Sequence, residues 1–283
     1  MLSAVFLLTI IIGCSFQSVA KKQFGRKNGS KGVFFFSALT SLSAAIFFVI
    51  STDSLTFDKA ILPYSLFFGI AYATATVCDV IAVTCGPLSL TTLIISYSLM
   101  LPTLYGLIFL REPISFGLIP GLVLLVISLF LIRAKGGSVT ITPKWIISVL
   151  LAFVGNGFCS IAQNMEQVQL AGAYKNEFMI CALLFVSVTL FLFSLGGERH
   201  DIVPCFKNGW YWAVLCGAFN GVVNLFVMLL MGRMPSSIMF PLISAGQIVF
   251  TFLVAIIIYK ERLSRSQIAG LVFGILAVVF LNI

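Results

Sequence analysis

Asn156, Ser160 and Gln163 follow one another at i, i+4 and i+7, so a helix would turn all three to one side. Tyr72, Thr76 and Asp79 repeat that spacing, and Asn220 and Asn224 lie one turn apart. Two further apolar runs carry Ser89, Thr92, Ser96 and Tyr97, and then Ser237, Ser244 and Gln247. A carboxamide has four hydrogen-bonding sites and is hard to satisfy within one helix. Asn156, Gln163, Asn220, Asn224 and Gln247 therefore read as the wall of a wet cavity that binds a solute. Hydroxyls can bond back to their own helix, so for Ser160, Thr76, Ser96 and Ser244 joining helices is the plainer alternative. Asp79 is the one acid read as well inside an apolar run. It is either a proton-coupling carboxylate or an acid that reaches the interface or pairs with a basic loop residue.

Other chemistries find no support. The single histidine, His200, lies in a polar loop, and no HExxH, GxSxG or phosphate-loop pattern occurs. The seven cysteines form no CxxC pair and have no metal-ligand spacing. No enzyme, metal or cofactor is expected. Glu112 and Glu261 resemble a symmetric pair, but each sits between two apolar runs, on opposite membrane faces roughly 30 Å apart. Joint acid–base work is excluded. A carboxylate beside a helix N-terminus, worth roughly 0.3–1 kcal/mol, is the expected role, and Ser264 with Gln267 fits a capping box.

The elements that must hold these groups follow from composition. The chain is 60% hydrophobic and 9% charged, against roughly 45–50% and 25% in soluble domains. Twenty-six charges cannot cover a water-soluble fold of this size. The apolar runs are continuous and about twice the length of barrel strands. They predict an all-α integral membrane protein in lipid, with helices near 2–20, 33–51, 61–83, 88–110, 114–133, 145–165, 176–195, 209–231, 236–259 and 265–282. The apolar segment at the N-terminus has no preceding Lys or Arg and reads as a retained span, not a signal peptide. Trp145, Trp210 and Trp212 open helices as interfacial anchors would.

An internal repeat is legible. Arg111-Glu112 recurs as Lys260-Glu261, Ile119 as Ile268, and Gly121-Leu122-Val123 as Gly270-Leu271-Val272, at spacing 149. Gly69 matches Gly217, Tyr72 matches Asn220, Thr76 matches Asn224 and Ser96 matches Ser244 at spacing 148; Cys14-Ser15 matches Cys159-Ser160 at 145. The halves are 1–134 and 143–283. Each holds five helices, an odd number, so the second enters the membrane from the opposite side, a plan used by secondary transporters. Loops after odd-numbered helices carry thirteen Lys and Arg, among them Lys21, Lys22, Arg26, Lys27 and Lys31; loops after even ones carry four. The net charge of +8 thus reports orientation in a cell membrane and not a nucleic-acid partner, and both termini are expected outside the cytoplasm.

The duplicated motif, Pro102…Leu110-Arg111-Glu112-Pro113-Ile114-Ser115…Gly121 and Tyr259-Lys260-Glu261-Arg262-Leu263-Ser264…Gly270, resembles the EamA-like family of the drug/metabolite transporter superfamily. The resemblance implies a ten-helix inverted-repeat carrier of small metabolites, amino acids or drugs, often an exporter, with Glu112, Gly121, Glu261 and Gly270 as the structural motif. It departs from the family in two ways. The counterpart of Pro102 is Thr251, so the ninth helix is expected to bend differently, and the family's usual orientation places both termini in the cytoplasm. GxxxG spacings at Gly117/Gly121, Gly217/Gly221 and Gly270/Gly274 fit either internal packing or a homodimer face. The cavity shows no fixed charge near mid-depth at this level, which favours a neutral or zwitterionic solute, with a proton, another ion or exchange as the drive. A scaffold or an intramembrane enzyme is the alternative function.

Overall fold

The computed structural model describes residues 2–52, 55–86, 88–112, 116–133, 142–259 and 265–281. Glu261, Pro113–Ser115 and Ser264 lie outside the described residues, as does the side chain of Gln267. Among the described residues the regular structure is helical: α1 (Leu2–Asn28), α2 (Val33–Ile50), α3 (Leu62–Cys85), α4 (Leu88–Ser96), α5 (Met100–Ile108), α6 (Leu118–Arg133), α7 (Pro143–Gln169), α8 (Lys175–Gly197), α9 (Ile202–Met231), α10 (Ser236–Tyr259) and α11 (Arg265–Leu281). Six of them (α1, α2, α3, α7, α8 and α9) are long and apolar enough to cross a membrane. Shorter apolar helical stretches cover 94–108, 118–128 and 236–250.

Two boundaries differ from the sequence reading in ways that matter. The first helix does not stop at Ala20 but runs on to Asn28, ending where Gly29 takes a left-handed φ of 64° and donates its N–H to the Gly25 carbonyl at 2.8 Å. Lys21, Lys22, Arg26 and Lys27 are therefore helical and not loop residues. Lys22 Nζ donates to the carbonyls of Val83 and Gly86 at 2.9 and 3.1 Å, satisfying the open end of α3. The eighth predicted helix starts seven residues early, at Ile202, so Trp210 and Trp212 lie two turns inside α9 and not at its start. Trp145 is no interfacial anchor. It is 5% exposed and donates its indole N–H to Thr91 Oγ1 at 3.0 Å.

The fourth predicted helix is broken. Residues Tyr97–Leu99 form a 3-10 turn between α4 and α5. Pro102 has no N–H to give the Ser98 carbonyl, and its ring crowds that turn. The ninth, α10, is continuous despite Pro241, so the two counterparts do bend differently.

Packing follows the small residues. α3 lies along α7 and α1 along α9; α2 sits against α8 and α9, and α6 against α11. At Gly217 a Cβ would fall on the Thr40 carbonyl oxygen and on Ser43, so α9 approaches α2 as only glycine allows. On α11, Gly270 accepts a hydrogen bond from Ser128 Oγ at 2.6 Å, and a Cβ on Gly274 would stand 3.1 Å from the same hydroxyl. That GxxxG stripe is taken up inside the chain by α6 and is not a free dimer face. On α6, Gly121 donates its N–H to Gly117 at 2.9 Å as part of the first turn.

Candidate functional site

A cavity of about 140 Å³ lies between α1, α3, α4, α7, α9 and α10. Tyr72, Thr76 and Asp79 line it from α3, and Asn156, Ser160 and Gln163 from α7. Asn220 and Asn224 line it from α9, and Gln247 from α10. The i, i+4, i+7 spacings therefore converge on one space.

The amides are bonded in series. Gln163 Nε2 donates to Asn224 Oδ1 at 2.7 Å, Asn224 Nδ2 to Asn220 Oδ1 at 3.0 Å, and Asn220 Nδ2 to Gln17 Oε1 at 3.1 Å. The chain crosses from α7 through α9 to α1. A carboxamide both donates and accepts, which makes such a series possible. Asn156 stands apart from it and donates to Ser98 Oγ at 2.8 Å, at the break between α4 and α5. Tyr72 is 9% exposed and stacks on Phe68 with ring centres 5.5 Å apart. Ser160 Oγ bonds back to the Asn156 carbonyl at 3.4 Å.

Three expected site residues are elsewhere. Ser244 Oγ donates to the Ser96 carbonyl at 2.8 Å, and Ser96 Oγ donates to Thr92 at 2.7 Å. The Ser244 hydroxyl is spent on the α4–α10 contact, and the Ser96 hydroxyl bonds back within α4. Tyr97 begins the 3-10 turn, and neither it nor the two serines is among the cavity-lining residues. Helical periodicity assigns faces only where the helix is unbroken, and this one breaks at Tyr97.

The sequence reading put no fixed charge near mid-depth, and the cavity wall does carry a charged pair. Lys21 Nζ pairs with Asp79 Oδ2, and both side chains line the cavity. Asp79 thus meets a basic residue from a helix, not from a loop. Gln17, Ser18 and Lys21 of α1 join the sequence-predicted residues on the cavity wall, the lysine because α1 runs on past Ala20. A signal existed: Cys14, Ser18 and Lys21 have the same i, i+4, i+7 spacing as the residues of α7.

Acids elsewhere cap helices. Glu198 accepts from the N–H groups of Val33, Phe34 and Phe35 at 2.9–3.2 Å, at the start of α2. Glu112 accepts from Ser236 N and Ser237 N at 3.0 and 2.7 Å, at the start of α10. Its expected place beside a helix N-terminus is right, but the helix is one in the other half and not the next in sequence. Gly106 leaves room for it, since a Cβ there would stand 2.6 Å from Glu112 Oε2. Glu177 instead accepts from Thr56 N at 3.0 Å, in irregular chain between helices. One further acid departs from this pattern, and Asp79 is not the only acid inside a helix run. Glu166 is 0% exposed in α7, and neither carboxyl oxygen has a hydrogen-bond partner.

The two ends of the cavity differ. At one end Ile10, Leu99, Val223, Val227, Phe240 and Ile243 pack as a buried apolar cluster. At the other stand Ala75, Asp79 and Thr92, the residues 148 positions before Val223, Val227 and Phe240. Among the described residues no group of three or more His, Cys, Asp or Glu could hold a metal ion.

Residues 143–283 match the sequence model of the EamA-like transporter family. The chain belongs to the EamA-like transporter family. It is a multi-pass membrane protein of a transporter family in the drug/metabolite transporter superfamily, and its partners include a small-molecule substrate and lipid. A solved structure described as "Crystal structure of protein" aligns over 98% of this EamA-like chain and 95% of its own, with a TM-score of 0.77 at 14% identity. At that identity the likeness shows the fold alone, but it extends over both halves of the chain. No curated protein matches it.

Proposed function

We propose that this EamA-like chain is a secondary active transporter that moves a small neutral or zwitterionic metabolite across the cytoplasmic membrane by alternating access, in the direction of efflux. The observation that carries the reading is the bonded amide series along a cavity enclosed by helices from both ends of the sequence. Amides embedded among apolar helices are costly unless they bond partners or line a wet path; these do both, bonded to one another and lining the cavity. The size of the cavity, about 140 Å³, favours a metabolite over a drug, since sites for drug-sized ligands span roughly 300–1,000 Å³.

Alternating access rests on a ten-helix inverted repeat, read with α4 and α5 as one interrupted span and halves at 1–134 and 143–283. Matched contacts support it. α1 packs on α9 as α7 packs on α3. Gly217 meets α2, and its counterpart Gly69 meets Phe185 and Ala182 of α8, the helix matched to α2. The unlike ends of the cavity supply two gates, one dry and apolar, the other polar. Tyr72, Thr76, Asn156, Ser160, Gln163, Asn220, Asn224 and Gln247 are the proposed contacts with the solute.

The drive is a gradient of protons or other ions, or exchange. Asp79 is engaged by Lys21. Glu166, with two unpartnered oxygens and with Lys175 and Glu177 as its charged neighbours, is the better proton-coupling group. The test is reconstitution in proteoliposomes with a metabolite panel. Saturable flux that is accelerated by solute on the opposite side marks a carrier. Flux that never saturates marks a channel, and its absence under every gradient marks a scaffold.

A further inference from the structure

Lys21 and Asp79 form an ion pair on the cavity wall, with side chains 12% and 15% exposed. As glue between helices such a pair is a poor choice. Replacing a buried pair by neutral groups of similar volume is often neutral or stabilising. A pair that borders a solute path instead has a use as a binding site, because each partner can exchange the other for a charge on the solute.

The chemistry of that exchange selects the solute. The pair has no net charge. A phosphate ester would meet a single cation already held by Asp79, and a simple amine would meet a carboxylate already held by Lys21. In either case one protein charge would be left buried and alone, which is strongly unfavourable. A solute with an ammonium and a carboxylate on neighbouring atoms leaves none. Its carboxylate takes Lys21 Nζ, its ammonium takes the Asp79 carboxylate, and four charges close a ring of charge-assisted hydrogen bonds. We propose that the Lys21–Asp79 pair is the head-group site for a zwitterionic solute with a short apolar tail, a reading that rests on the carrier function above. The rest of the cavity fits the same molecule. Gln17, one turn from Lys21, starts the amide series, and the far end is closed by Ile10, Leu99, Val223 and Phe240.

The experiment follows the melting of purified protein in detergent with matched triplets built on the serine, leucine and phenylalanine skeletons. Each triplet holds the amino acid, its deaminated acid and its decarboxylated amine. Wild-type protein is expected to be stabilised by at least one amino acid and by neither singly charged member of that triplet. Asp79→Asn leaves Lys21 alone and should move the preference to the acid; Lys21→Gln should move it to the amine. Because an unpaired buried charge can prevent folding, the double variant Lys21→Gln/Asp79→Asn is the decisive one. It should elute and melt like wild type yet bind the amino acid at least about 10-fold more weakly, having lost charge-assisted hydrogen bonds. A double variant that binds as wild type does, or that fails to fold, overturns the proposal. So does wild-type protein that binds the acid or the amine as well as the amino acid, or that binds no amino acid. Saturable proteoliposome flux of another solute class, undiminished in the double variant, would remove the head-group site and leave the carrier standing. Loss of all saturable flux would remove the carrier itself.

Discussion

Glu112 and Glu166 show how one residue type takes opposite roles within one fold. Glu112 accepts two backbone N–H groups at the start of α10. Glu112→Ala is expected to cost about 1–2 kcal/mol, the usual range for a lost cap, and to lower the melting midpoint in detergent. Glu112→Gln keeps one oxygen acceptor and should lose less. Glu166 is buried with nothing to bond. A buried polar group without a partner costs about 1–3 kcal/mol, so Glu166→Leu is expected to raise the midpoint. If Glu166 also carries the coupling proton, Glu166→Gln should make solute flux insensitive to an imposed pH gradient while Asp79→Asn does not. The proposed repeat would account for its isolation. Glu166 is the counterpart of Lys21 at spacing 145, and the counterpart of Asp79 at spacing 148 is Val227. The second half keeps an ionisable group but not its partner.

At the scale of elements, close approach is set by glycine where a backbone must meet another backbone. Gly217→Leu should force α9 from α2 and cost about 1–3 kcal/mol, as overpacking does, read as a lower melting midpoint. Gly196, in α8, has nothing within 4 Å of an added Cβ. Gly196→Ala should therefore be harmless or stabilise by about 0.5 kcal/mol, since alanine loses less backbone entropy in a helix. Opposite signs at the two positions would confirm that contact, and not helix propensity, decides the first. The break at Tyr97–Leu99 is the other element-level feature. It places Ser98 against Asn156, so the interruption that Pro102 imposes is met by a side chain of α7.

The whole molecule has a direction in the membrane. Taking Lys21 out of the count leaves twelve Lys and Arg after the odd-numbered predicted spans against four after the even ones, and from the positive-inside rule we propose that both termini lie outside the cytoplasm. A periplasmic alkaline phosphatase fused to the N-terminus should be active and a fluorescent protein there dark; the reverse pattern would restore the usual family orientation.

Composition and run length alone were enough for a helical membrane protein, since 26 charges admit nothing soluble. The family was legible in the duplicated Glu112 and Glu261 motif, the faces of α3 and α7 in their seven-residue spacings, and that of α9 in its two asparagines one turn apart. These are local properties, set by the period of a helix and the cost of polar groups in lipid. Tertiary structure decided the rest. Lys21 became a cavity residue because α1 runs on past Ala20 and meets α3. Ser96 and Ser244 were withdrawn from the site because α4 and α10 touch there. Glu112 found its helix 124 residues away. No spacing in the chain encodes which distant backbone end a carboxylate will meet; that is fixed only when the helices pack.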